Sequence, residues 1–116
     1  IQNDMRYVVT DGSGYGLFNN KKIQIAFKTG TGEVDKYKNS KENHWHSWLV
    51  AFAPFDAPPE ERICMATIID AENTWEWWAP YATGIIIQGI FQNQTYEEAL
   101  EELGFKYAIK VNQRME

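Results

Sequence analysis

The stretch Ala26–Glu33, "AFKTGTGE", holds one lysine, two hydroxyls and two glycines within five residues. Ahead of it Ile23, Ile25 and Phe27 alternate with Gln24, Ala26 and Lys28, which predicts a half-buried strand over Lys22–Thr29. A long polar loop, "GTGEVDKYKNSKENH", follows. Strand alternation sets Lys28 on one side and Thr29 and Thr31 on the other, with Gly30 between them leaving the backbone open. An ammonium, two hydroxyls and bare backbone N–H groups along an exposed strand edge suit a carboxylate, and a peptide can add there as an extra strand. The same residue types also occur where a strand runs into a Gly-rich turn and the lysine is merely solvated. The residues alone leave both readings open.

Outward from this stretch, "IQNDMRYVVT" places Ile1, Met5, Val8 and Val9 at helical spacing, and "DGSGYG" breaks that helix. "WHSWLVAFAP" (45–54) is more continuously apolar and is expected to be the central strand. "ICMATIID" (63–70) reads as a third strand. None of the connections holds a crossover helix, so the strands form an antiparallel meander. Pro80 suits the first turn of a helix through "YATGIIIQGIFQ". Thr95 and Glu98 form a capping-box pattern for "YEEALEEL", which Gly104 ends. The tail "FKYAIKV" alternates and is expected to be a further strand or an arm. The fold class is therefore α+β: a three-stranded antiparallel sheet flanked by N- and C-terminal helices. Residues 1–92 form the main unit, and 93–116 a short helix with a tail.

The chain has 116 residues, enough for one small domain that buries roughly two-thirds of its extended-chain surface. A net charge of −5 gives no footprint for nucleic acid or an anionic membrane, since Asp35 and Glu42 dilute the lysines of "DKYKNSK". Cys64 is the single cysteine, so no intrachain disulfide forms; in "RICMATII" it reads as a small buried hydrophobe. No signal peptide or spanning stretch is present, because the longest uncharged run carries Pro, Gly, Gln and Asn. The chain begins at Ile1, mid-pattern, and is expected to be a piece of something longer.

"KTGTGE" resembles the lysine-threonine-glycine motif of the penicillin-binding protein transpeptidases and serine β-lactamases. Its surroundings agree in order. "HSWLVAFAP" is similar to the family's next strand, with Ala51 in place of a usual glycine. "RICMATIIDAE" resembles the third strand, which ends near an acidic residue, and "WWAPYATGII" the start of the C-terminal helix. "MRYVVTDGSGYG" resembles the helix and Gly-rich segment before the motif strand. The resemblance covers residues 1 to 92. It implies that Lys28 holds the substrate carboxylate and tunes proton transfer near the nucleophile. Thr29 and Thr31 would bind the carboxylate of a D-Ala-D-Ala stem peptide or of a β-lactam, and Gly30 would keep the cleft wall open. The Thr31 backbone N–H would be one of two oxyanion-hole donors; losing such a donor costs about 2.7–4 kcal/mol. The implied reaction is acyl transfer through a serine ester, with no cofactor and no metal.

The family's nucleophile lies in S-x-x-K and a second motif is S-x-N. Ser13, Ser40 and Ser47 fit neither pattern. The chain alone is therefore expected to be inactive, its partner being the upstream half of the same transpeptidase domain. An elongation-type, monofunctional penicillin-binding protein is favoured over a class D β-lactamase by the long loop after the motif, the "A-P-Y-A" helix start and the C-terminal extension. The parent is expected at the periplasmic face of the inner membrane, the fragment itself being soluble. An exposed apolar sheet face and an open edge at Lys22–Thr31 are expected, liable to pair with a second copy. The other reading is a non-catalytic peptide- or glycan-binding module.

Three further constellations have plain structural readings. His44 and His46 sit two apart without completing ligands, and so are expected at a cleft edge or loop. Trp75, Trp77 and Trp78 are expected to anchor a helix on the sheet. Glu97, Glu98, Glu101 and Glu102 read as the solvated face of a short helix, and Thr95 in "NQT" as a cap.

Overall fold

A computed structural model describes residues 1–12, 22–33, 44–71 and 77–113. In order these form helix α1 (Gln2–Thr10), strands β1 (Ala26–Glu33), β2 (Trp45–Ala53) and β3 (Ile63–Ala71), then helices α2 (Trp78–Gln92), α3 (Tyr96–Leu103) and α4 (Lys106–Gln113). The sheet is antiparallel in the order β1-β2-β3, so the most apolar strand is central, as its composition predicts. The expected α+β arrangement is the one observed.

β1 starts four residues later than the alternation suggests and runs through both glycines of the motif. Gly30 and Gly32 look like turn residues, but each is a rung of the ladder, opposite Trp48 and His46. Pairing with β2 overrides their weak intrinsic strand preference. Ile23 and Ile25 precede the strand and are nonetheless buried.

One face of the sheet is covered. Ser47, Leu49, Ala51 and Ala53 of β2 point into it, and α1 packs on β1 while α2 packs on β2 and β3. The core cluster joins Val9 of α1, Ile25, Phe27, Leu49 and Ile87 of α2 with Leu100, Leu103 and Phe105. Each such side chain, fully buried, contributes about 1.5–3 kcal/mol of transfer free energy. Arg6 of α1 donates from Nη1 to the Ile25 carbonyl at 2.6 Å, and burial pulls its pKa below the ordinary value, an effect Asp56 partly offsets. Arg62 closes the β2–β3 connection by donating to the carbonyls of Ala57 and Phe55 and to Gln2 Oε1.

Two polar pins seat α2. Ser47 Oγ accepts the Ala79 N–H at 3.0 Å, and the hydroxyls of Thr67 on β3 and Thr83 on α2 are 2.7 Å apart. Beyond α2, Asn93 adopts the left-handed conformation and Thr95 caps α3, its Oγ1 accepting the Glu98 N–H at 3.3 Å. Gly104, with φ 71, ends α3 as the sequence predicts. An amide chain then ties α2 to α3: Gln88 Nε2 donates to Gln94 Oε1 at 2.9 Å, and Gln94 Nε2 donates to Glu102. Glu97, Glu98 and Glu101 are solvated as expected, whereas Glu102 is half-buried by this contact.

The tail "FKYAIKV" is helix α4 rather than a strand or an arm. Phe105 and Ile109, four apart, face the core, and Tyr107 between them is 79% exposed. Phe105 stacks on Tyr81 of α2, with centroids 4.0 Å apart, and Tyr81's pKa is raised by burial.

The other face of the sheet is bare among the described residues. Trp48, Val50 and Ile68 are 44%, 46% and 47% exposed, which agrees with the expected apolar open face. Cys64 lies on it opposite Phe52 and is exposed, not buried. Its run of apolar neighbours implies burial only if both faces of β3 are covered.

Candidate functional site

β1 is an edge strand: among the described residues it pairs with β2 alone, leaving its outer N–H and C=O groups unpaired by sheet. The four residues singled out by sequence are consecutive along it. Lys28 and Gly30 lie on the open face, opposite Val50 and Trp48, and Lys28 is exposed with Nζ donating to the Thr29 carbonyl at 2.8 Å. Thr29 and Thr31 turn to the helix-covered side, Thr29 half-buried and Thr31 exposed. The ammonium and the hydroxyls therefore leave opposite faces of the strand and can meet a common ligand only at its outer edge.

A Cβ at Gly30 would lie 3.7 Å from Trp48 Cβ, an ordinary contact, and at Gly32 it would meet nothing within 4 Å. The fold of this chain does not require these glycines for space. Their effect is to leave the strand's backbone bare of side chains at residues 30 and 32.

His46 is the Cα partner of both Gly32 and Asp70, so the two histidines gather at the end of the sheet where β1 finishes. His44 Nδ1 is 3.4 Å from Asp70 Oδ1, and His46 Nε2 is 3.9 Å from the same oxygen. The His46 ring meets Trp48 edge-on, with centroids 6.3 Å apart. Among the described residues no group of three or more His, Cys, Asp or Glu is placed to hold a metal. Trp77 packs partly against the core and Trp78 is half-buried; Trp75 lies outside the described residues, as do Ser13, Ser40 and the lysines of "DKYKNSK".

Ser47 was legible only as a serine without a catalytic pattern. The structure makes it the Cα partner of Thr31 and fixes its hydroxyl on α2. A small hydroxyl inside an otherwise apolar strand, "WHSWLVAFA", is the signal that could have marked it.

The described residues contain no helix long and apolar enough to cross a membrane. The chain matches the family model described as the penicillin binding protein transpeptidase domain over residues 1–95. No curated protein and no solved structure matches it. The match takes in α1, the whole sheet and α2, with the motif strand at the sheet's edge, and the chain belongs to the penicillin-binding protein transpeptidase domain family.

Proposed function

We propose that this chain supplies the motif strand of a peptidoglycan D,D-transpeptidase, with the nucleophilic serine and its base coming from the upstream half of the same domain. The observation that supports the reading is β1's place at the edge of this family's sheet, paired with β2 alone among the described residues, along which Lys28, Thr29, Gly30 and Thr31 follow one another.

In this reading the stem peptide's terminal carboxylate takes hydrogen bonds from the Thr29 and Thr31 hydroxyls and the Lys28 ammonium. Each charge-assisted bond is worth about 1.5–3 kcal/mol. The serine oxygen attacks the penultimate D-Ala carbonyl, the Thr31 N–H stabilises the oxyanion, and the amide bond breaks to release D-Ala. A neighbouring stem-peptide amine then attacks the ester, forms the cross-link and regenerates the serine. A β-lactam occupies the same place, and its opened ring stays on the serine. The parent is an elongation-type, cell-shape enzyme at the periplasmic face of the inner membrane. Its upstream half covers the apolar face that carries Trp48, Val50 and Ile68. Deprived of that half, the chain pairs with a second copy through the β1 edge.

Labelling with a fluorescent penicillin tests the reading, on this chain alone and mixed with the upstream half of its gene product. Label on the upstream polypeptide only in the mixture is the expected outcome. No label in a folded mixture would favour a non-catalytic peptide- or glycan-binding module, and rapid loss of label a β-lactam-destroying hydrolase.

A further inference from the structure

We infer that Ser47 is a positioning residue for acyl transfer: its buried hydroxyl locks β2 to the start of α2 and thereby sets the Thr31 backbone N–H. The inference rests on the transpeptidase reading above.

Among the described residues β1 pairs in the sheet with β2 alone, so a shift of β2 carries the motif strand's ladder with it. At Thr31 the rung of the ladder is Ser47, and both side chains are on the helix-covered side. Gly30 and Gly32 flank Thr31 and supply no side chain that could hold it from the open face. The position of the Thr31 N–H thus depends on the backbone of β2 at residue 47.

That backbone is paired with Ile69 of β3 on its other side, and its covered face is joined to α2 through the Ser47 hydroxyl. The first N–H groups of a helix have no partner within the helix, and the residue preceding α2, Trp77, makes no side-chain cap. Ser47 Oγ supplies the missing acceptor from the neighbouring strand, at 3.0 Å from Ala79 N. Ser47 is 2% exposed, so no water replaces the bond without a rearrangement. The second pin, Thr67 to Thr83, acts on β3, two strands away from the motif. The Ser47 bond joins α2 to β2 at the rung that faces Thr31.

An oxyanion donor works over a range of a few tenths of an ångström, whereas the initial complex tolerates more. Loosening Ser47 therefore affects the chemical step before it affects binding.

The test is acylation of the full-length gene product by a fluorescent penicillin. Wild type, Ser47→Ala, Ser47→Thr and Ser47→Cys would be compared, with the acylation rate constant resolved from the affinity of the initial complex. Ser47→Ala is expected to slow acylation about tenfold and to change the initial affinity less than about twofold. Ser47→Thr, which keeps the hydroxyl, is expected to restore the rate. If Ser47→Ala fails to fold, Ser47→Cys decides, since it keeps the volume but is a weak acceptor; an intermediate rate supports the inference and an unchanged rate overturns it. Wild-type acylation in Ser47→Ala, or equal losses in rate and affinity without rescue by threonine, also overturns it. A wild-type protein that takes no label would instead overturn the transpeptidase reading, and the inference with it.

Discussion

The two faces of the sheet are built from the same three strands and behave as two different surfaces. Leu49 and Val50 are neighbours in sequence, yet one is 1% exposed and the other 46%. On the covered side small and large apolar groups meet α1 and α2, and two hydroxyls there bond to α2: Ser47 with Ala79, Thr67 with Thr83. On the open side Trp48, Val50, Ile68 and Cys64 face no helix among the described residues. Apolar character alone does not make a core; a second layer does. The candidate site's edge lies where the two surfaces meet, with Lys28 on one and Thr29 and Thr31 on the other.

The largest expected effect contrasts the neighbours directly. Leu49→Ala should cost about 3 kcal/mol in urea unfolding, through lost burial and a residual cavity. Val50→Ala should cost less than about 1 kcal/mol. Equal costs would mean that the open face is covered in solution, and a rise for Val50→Ala on adding the upstream half would identify what covers it. A smaller effect is expected at the covered side's hydroxyl pair. Thr67→Val leaves the buried Thr83 hydroxyl without that partner and should cost about 1–2 kcal/mol, most of which Thr67→Val with Thr83→Val should recover. An uncoupled pair of mutations would show that packing, not the hydrogen bond, seats α2. The smallest effect is electrostatic. Tyr81's pKa is raised by burial, so the folded state holds its proton longer than the unfolded one. That stability is fully present below the ordinary tyrosine pKa of about 10 and is lost as pH rises through the folded value. Melting temperature should therefore fall over that alkaline range, and the fall should be shallower in Tyr81→Phe. The same slope in both would free Tyr81 from the covered layer.

Much of this was legible from residue patterns, and the failures have physical causes. β2 could be placed at the centre because both of its faces carry apolar groups, and α3 could be bounded by Thr95 and Gly104 because caps act locally. β1 was misplaced by four residues because Gly30 and Gly32 signal a turn in isolation; only the opposing Trp48 and His46 hold them in a ladder. "FKYAIKV" satisfies period 2 and period 3.6 alike over so few residues, and the contact of Phe105 with Tyr81 decides for the helix. Cys64 was misjudged because sequence shows that a strand is apolar, not which of its faces is covered. The motif residues were legible as a group, but their division between two faces follows from the strand's place at the edge. Ser47 shows no local pattern because its partner, Ala79, lies thirty-two positions away.

The core cluster joins Val9 from the first helix with Phe105 near the start of the last. On a ribosome the chain emerges from its N-terminus at about 5–20 residues per second. Val9, Phe27 and Leu49 must then wait, unsealed, until α3 and α4 have left the exit tunnel. During that interval the covered layer lacks Leu100, Leu103 and Phe105. A ribosome stalled before α3 would therefore display more apolar surface on this side of the sheet than the folded domain does.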